Sequence, residues 1–209
     1  MAERLIIGCG TGRCGTVSLS ALLCAQPGVV ATHERQPFPW SSAPKPIAQA
    51  IEWWQAQRDH HATAKIYADV AFYWLTYVKA LCEHFPDTHV ICLQRNRDAT
   101  VQSYLRKTPW GDPWRHGYHD ATCLMERLWA GCYPDYHCWP TKKAAIGAYW
   151  DDYYAMATIL SSRYPFRFRL FPMESTLNTQ AGQQALLDFC DLPRSDHLYD
   201  TSIRLNPSR

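Results

Sequence analysis

The sequence predicts a single α/β domain over residues 1–209, with a parallel sheet of four to five strands and helices on both faces. Two observations predict this fold class. Short apolar runs typical of buried strands alternate with stretches of helical spacing, an order that produces parallel strands joined by crossover helices. The composition, 47% hydrophobic and 19% charged over 209 residues, is that of one globular domain.

Five short stretches carry the strand pattern, and apolar residues at helical spacing fill much of the chain between them. The predicted strands are residues 5–7, 29–32, 62–67, 88–94 and 166–171. Five helices are predicted. The first begins at Val17, the second runs from Ile47 to about His60, and the third follows an apolar stripe from Val70 to Leu81. The fourth spans residues 144–163, and the last ends near Cys190.

A glycine-rich turn connects the first predicted strand to the first predicted helix. Its glycines are Gly8, Gly10, Gly12 and Gly15. In such a turn, backbone N–H groups converge on an anion at the positive end of the helix dipole, and phosphate oxygens can approach the backbone closely. The turn therefore predicts a phosphate-like ligand and a domain of the P-loop type.

Three motifs compete for this turn. Gly10 to Gly15 satisfy the dinucleotide fingerprint GxGxxG, and Glu34 lies about where an acid for the ribose hydroxyls is needed. The nucleoside-triphosphatase loop GxxxxGK[ST] also fits from Gly10, except that Thr16 replaces its phosphate-binding lysine. The third pattern places a cation before the glycine and hydroxyls after it, as Arg13-Cys14-Gly15-Thr16-Val17-Ser18.

The third pattern resembles the 5′-phosphosulfate loop of sulfotransferases that use 3′-phosphoadenosine 5′-phosphosulfate (PAPS). The common form of that loop is Lys/Arg-Ser-Gly-Thr-Thr/Ser, so Cys14 replaces the usual serine and Val17 a frequent threonine. The resemblance implies that the loop holds the phosphosulfate through Gly12, Arg13, Cys14, Gly15, Thr16, Val17 and Ser18.

A second motif follows the fourth predicted strand. Arg95 stands at the end of that strand and Ser103 lies eight residues later. One explanation is a helix capped by Asn96 or Asp98. The spacing also resembles the second sulfotransferase motif, in which an arginine and a serine hold the 3′-phosphate of the nucleotide, although the usual Pro-Arg/Lys-Asp is contracted here to Arg97-Asp98.

Candidate catalytic residues lie at other predicted strand ends. His33 and Glu34 follow the second strand, and the carboxyl ends of parallel strands gather ligands. Glu34 is the expected base for the acceptor proton, because some branches of the family place a glutamate there; His33 is the alternative and Asp69 is third. Arg13 is expected to oppose charge on the leaving oxygen, assisted by Lys65, which resembles a family lysine at the end of the third strand.

The resemblance implies PAPS as co-substrate, 3′-phosphoadenosine 5′-phosphate (PAP) as product, no metal, and a hydroxylated or amine-bearing acceptor that is a small molecule or a glycan or lipid. Residues 108–143, rich in aromatics, are the candidate acceptor pocket or lid, and Arg204 or Asn206 are candidates for closing over the nucleotide. Two readings stay open: a kinase with a degenerate P-loop, and a non-catalytic NAD-like binding module.

The net charge, the apolar runs and the cysteines indicate which partners and which cellular compartment to expect. A net charge of +2 argues against nucleic acid, and no apolar run approaches the ~20 residues of a membrane span. Nine cysteines without a CxxC pair indicate reduced thiols and a cytoplasmic protein. Oligomeric state is left open.

Overall fold

Five strands form one parallel sheet in the computed structural model of the chain, which describes Ala2 and residues 4–35, 46–107 and 139–202. The strands are β1 (Arg4–Cys9), β2 (Val29–His33), β3 (Ile66–Val70), β4 (His89–Gln94) and β5 (Phe168–Pro172). Their order across the sheet is β2-β3-β1-β4-β5, and every pair is parallel. The predicted α/β architecture is confirmed.

Helices connect these strands. They are α1 (Thr16–Cys24), α2 (Ile47–His60), α3 (Val78–His84), α4 (Arg97–Lys107), α5 (Lys142–Arg163), α6 (Met173–Leu177) and α7 (Gln180–Phe189), with short 3₁₀ helices at Phe72–Tyr77 and Arg194–Asp196. Among the residues described, no helix is long and apolar enough to cross a membrane.

The core lies on both faces of the sheet because successive strand residues point to opposite sides. Leu5 and Ile7 of β1 belong to one buried cluster, which includes Trp54 of α2 and residues of α5. Ile6 belongs to the other cluster, with Leu19 of α1 and residues of α7. Burial on both faces explains why β1 reads as a continuous apolar run.

The third strand and the element after it differ from the prediction. The strand begins at Ile66 rather than at residue 62, and Val70 ends it, paired with Gly8 of β1. The apolar stripe from Val70 to Leu81 is therefore the end of a strand, a 3₁₀ helix and the short helix α3, not one long helix. The prediction of one long helix failed because all five residues of β3 are buried, so the strand and the stripe after it form one apolar stretch without a visible boundary.

Two predictions fall outside the described residues. Most of the candidate acceptor segment, residues 108–138, lies between the described ranges 46–107 and 139–202, and Arg204 and Asn206 lie beyond residue 202. Both remain predictions.

Candidate active site

The turn after β1 has a backbone that favours glycine. Gly10, Gly12 and Gly15 have φ angles of 151°, 77° and 88°. A Cβ at Gly10 would overlap the sulfur of Cys14, and a Cβ at Gly12 would overlap the hydroxyl of Tyr104. Side chains therefore pack directly beneath the turn, and only glycine fits both the angles and the space.

The glycine turn leads directly into the amino end of α1. Gly15 is the N-cap residue and no side chain caps the helix. The first N–H groups of a helix have no intrahelical acceptor and carry the positive end of its dipole. Thr16 and Ser18, whose hydroxyls were predicted to contact the nucleotide, lie in this first turn and are mostly buried. The arrangement suits an anion at the centre of the sheet's carboxyl edge.

Tyrosine hydroxyls hold the turn from behind. The carbonyl oxygen of Thr11 accepts hydrogen bonds from Tyr104 and from Tyr149, the latter at 3.0 Å. The hydroxyl of Tyr153 accepts from the N–H of Gly10 at 2.9 Å. No motif in the sequence marks these tyrosines as functional. The only indication in the sequence is a general one: the hydroxyl of a buried tyrosine needs a hydrogen-bond partner.

The second phosphate motif meets the glycine turn directly. Nε of Arg13 donates to Oγ of Ser103 at 3.1 Å, across 90 positions of the chain. Nη1 of Arg95 donates to the carbonyl oxygen of Arg13 at 3.0 Å. Because β4 lies beside β1, the strand-end arginine is placed next to the loop. The structure thus brings Arg13, Arg95 and Ser103 into one group.

Asn96 caps the helix that follows, as the simpler explanation required. Its Oδ1 accepts from the N–H of Ala99 at 3.0 Å. This cap sets the start of α4 and thereby the position of Ser103 two turns later, so the two explanations of the motif are compatible.

His33 and Glu34 approach the same loop from the end of β2. Nε2 of His33 lies 3.1 Å from Oγ1 of Thr16 and 3.9 Å from Oε1 of Glu34. Glu34 has a φ of 48°, which residues other than glycine rarely adopt, and its side chain is 27% exposed. β3 and β1 lie between β2 and β4 in the sheet. Residues at the carboxyl ends of β2 and of β4 nevertheless both contact the segment that follows β1.

The electrostatics differ between these two side chains. Burial, and to a smaller extent the negative charge of Asp69, raise the pKa of Glu34 to about 7. Burial lowers the pKa of His33. At neutral pH His33 is therefore uncharged, and Glu34 exchanges its proton near the pH at which a general base works best.

The shifted pKa of Glu34 predicts a stability effect of Glu34→Gln. The unfolded glutamate loses its proton near its ordinary pKa of 4.5, whereas the folded one retains it to about pH 7. As pH rises through this window, the wild type loses stability relative to the variant, by about 1–3 kcal/mol in all. Urea unfolding of both proteins between pH 4 and 8 measures the difference. A difference that does not change with pH would contradict the raised pKa.

Lys65 lies away from this site, and its predicted role is wrong. It precedes β3, and the next residue, Ile66, pairs with Arg4 at the start of β1. Its N–H donates to the carbonyl oxygen of Gly28, just before β2. The length of a five-residue strand, about 16 Å, separates this edge from the glycine turn. The error follows from the late start of β3.

Cys14 is placed beneath the loop rather than on its surface. Its side chain is completely buried, and burial raises the pKa of its thiol to about 12. Only the backbone of Cys14 is available to a ligand. Within the described ranges, no three His, Cys, Asp or Glu side chains are grouped so as to hold a metal ion.

Known proteins resemble this chain in sequence and in fold. A family model described as a sulfotransferase domain matches residues 5–161. The crystal structure of a sulfotransferase from Alicyclobacillus acidocaldarius superposes with a TM-score of 0.62 and 14% sequence identity, covering 99% of this chain and 88% of that chain. No curated protein sequence gives a significant match. Because the matched residues make up well over half of the chain, the protein belongs to the sulfotransferase domain family.

Proposed function

We propose that the protein transfers a sulfuryl group from PAPS to a hydroxyl or amine group of a small acceptor. Membership of the family supports sulfotransferase activity in general. The donor is proposed from one observation above all: the hydrogen bonds that join Arg13 to Ser103 and Arg95 to Arg13 unite two anion-binding elements. A nucleotide with charged groups at both its 5′ and 3′ ends suits such a pair.

The 5′-phosphosulfate would lie against the amino end of α1, beside the loop backbone and the first-turn residues Thr16 and Ser18. The 3′-phosphate would lie against Arg95 and Ser103. The fit to Arg95 has direct support: its Nε is buried and has no hydrogen-bond partner among the residues described, although Oε1 of Glu174 lies 3.6 Å away. A phosphate oxygen would satisfy this donor with a charge-assisted hydrogen bond.

Transfer needs an acceptor atom in line with the bond from sulfur to the bridging oxygen. A new bond forms from the acceptor to sulfur, and the bond to the nucleotide phosphate breaks. Glu34 takes the acceptor proton, and Arg13 opposes the negative charge that develops on the bridging oxygen. His33 is the less suitable base, since its Nε2 already faces the hydroxyl of Thr16. Most of the acceleration comes from holding the reactants in place.

A thermal-shift panel of PAP, PAPS, ADP, ATP with Mg²⁺, and NAD tests the donor. PAP at about 100 times its Kd adds about 2.7 kcal/mol of stability, which should raise the Tm by about 5–10 °C for a chain of this size. ATP and NAD lack the 3′-phosphate and should shift the Tm far less. An equal or larger shift with ATP and Mg²⁺ would favour a kinase, and one with NAD a dinucleotide-binding module.

A further inference from the structure

Asp69 is a buried carboxyl group close to the proposed base. It is the fourth residue of β3, is completely buried, and pairs in register with Thr32 of β2. Oδ1 accepts a hydrogen bond from Oγ1 of Thr32 at 2.5 Å, and Oδ2 accepts one from Nε1 of Trp74 at 2.6 Å. Both oxygens are thus held by short hydrogen bonds, so the position of this carboxyl group is well fixed.

The same carboxyl group fixes the turn that carries Glu34. Oδ1 of Asp69 also accepts from the N–H of Arg35, at 3.4 Å, and the N–H of Glu34 donates to the carbonyl oxygen of Val70 at 3.1 Å. These contacts hold the two peptide groups around Glu34 to the end of β3. A non-glycine residue with a φ of 48° persists only where its surroundings impose that angle.

We propose that Asp69 is the positioning residue for Glu34: its buried carboxyl group, held by Thr32 and Trp74, fixes the turn that aims Glu34. This inference rests on the proposed role of Glu34 as the base. A carboxylate next to a second carboxyl group disfavours the second ionisation and so raises its proton affinity. The two groups titrate as a coupled pair.

The charges around the pair support this direction. Burial raises the pKa of Asp69 to about 6, opposed by its hydrogen bonds to Thr32 and Trp74 and by the charge of Arg35. Burial lowers the pKa of His33, so that side chain is neutral when Glu34 titrates. Among the described residues, the other titratable groups here are the hydroxyl of Tyr67, 3.0 Å from Oγ1 of Thr32, and His61, whose ring stacks on Tyr67.

Carbon-13 NMR of the unliganded, glutamate-labelled protein tests the inference without an acceptor. The signal that disappears in Glu34→Gln identifies the Glu34 carboxyl group, which should titrate near pH 7 in the wild type. In Asp69→Asn the same signal should titrate about one pH unit lower, and the amide of Arg35 should exchange faster. Asp59→Asn, on the exposed end of α2, is the matched control and should leave both unchanged.

A folded Asp69→Asn protein with the wild-type Glu34 titration would overturn the inference. Should that variant not fold, Thr32→Val removes the 2.5 Å hydrogen bond and keeps the strand. Asp69 is then protonated more often near neutrality, so Glu34 should titrate lower, by a smaller amount. An unchanged Glu34 titration in this variant overturns the inference as well.

The functional consequence is read from pH profiles of PAPS consumption. In Asp69→Asn the acidic limb should move to lower pH and the plateau should fall several-fold, because Glu34 is then a weaker base. A loss of plateau with an unmoved limb would mean that Asp69 is only structural. Full turnover by Glu34→Gln would instead refute the proposed base and leave the NMR result standing, so the two failures are distinguishable.

Discussion

Replacing Glu34 by glutamine is expected to lower sulfuryl transfer from PAPS at least about 100-fold, with PAP affinity within about threefold of wild type. Glutamine keeps the size of the side chain and cannot take a proton. Glu34 lies beside His33, which contacts the hydroxyl of Thr16, and it is not among the groups proposed for the 3′-phosphate. The loss should therefore appear in kcat, not in nucleotide binding.

The measurement is consumption of radiolabelled PAPS with a panel of small hydroxylated and amine-bearing acceptors, together with PAP titration by calorimetry. Glu52→Gln is the matched control, because Glu52 is exposed on α2. It should leave both quantities unchanged. Wild-type turnover by Glu34→Gln would assign the base elsewhere, first to His33, and a large loss of PAP affinity would mean that Glu34 supports nucleotide binding and not only proton transfer.

Replacing Arg95 by alanine is expected to weaken PAP binding by about 10- to 150-fold, while AMP binding changes little. The guanidinium has one buried donor without a partner among the described residues and one bound to the loop carbonyl of Arg13. A charge-assisted hydrogen bond of this kind contributes about 1.5–3 kcal/mol. AMP lacks the 3′-phosphate and so has no such contact to lose.

Arg97→Ala provides the matched control for this arginine. Arg97 lies two positions after Arg95 and is half exposed. Its Nε and Nη2 donate to the carboxylate oxygens of Asp151 at 2.8 and 2.7 Å. Its removal should leave the preference for PAP over AMP intact. An equal loss of PAP and AMP affinity in Arg95→Ala would mean that the arginine supports the loop and does not bind the 3′-phosphate.

The core of the site could be predicted because its information is local. The strand Arg4–Cys9, the glycines and the helix Thr16–Cys24 are contiguous, and the glycines are required by the backbone itself. Arg95 could be placed because it follows the most regular apolar strand. The parallel order then brought it beside the loop, as the carboxyl ends of neighbouring strands share one edge.

The errors and omissions arose where the pattern is ambiguous or the partner is distant. Lys65 was misplaced because the buried residues after it extend an apolar stripe that fits a strand or a helix equally well. The tyrosines of α5 were not singled out because their hydrogen bonds join positions more than 130 residues apart. No spacing in the sequence encodes such contacts, which depend on how α5 packs against the sheet.

The position of Arg13 has a thermodynamic consequence. Its guanidinium contacts Ser103, and its own peptide carbonyl accepts from Arg95, so one residue belongs to both of the proposed anion-binding elements. Any rearrangement of that peptide alters the two elements together. If the proposed nucleotide binds here, we expect the free energies contributed by its two charged ends not to be additive, because occupation of one end changes the work needed to fill the other.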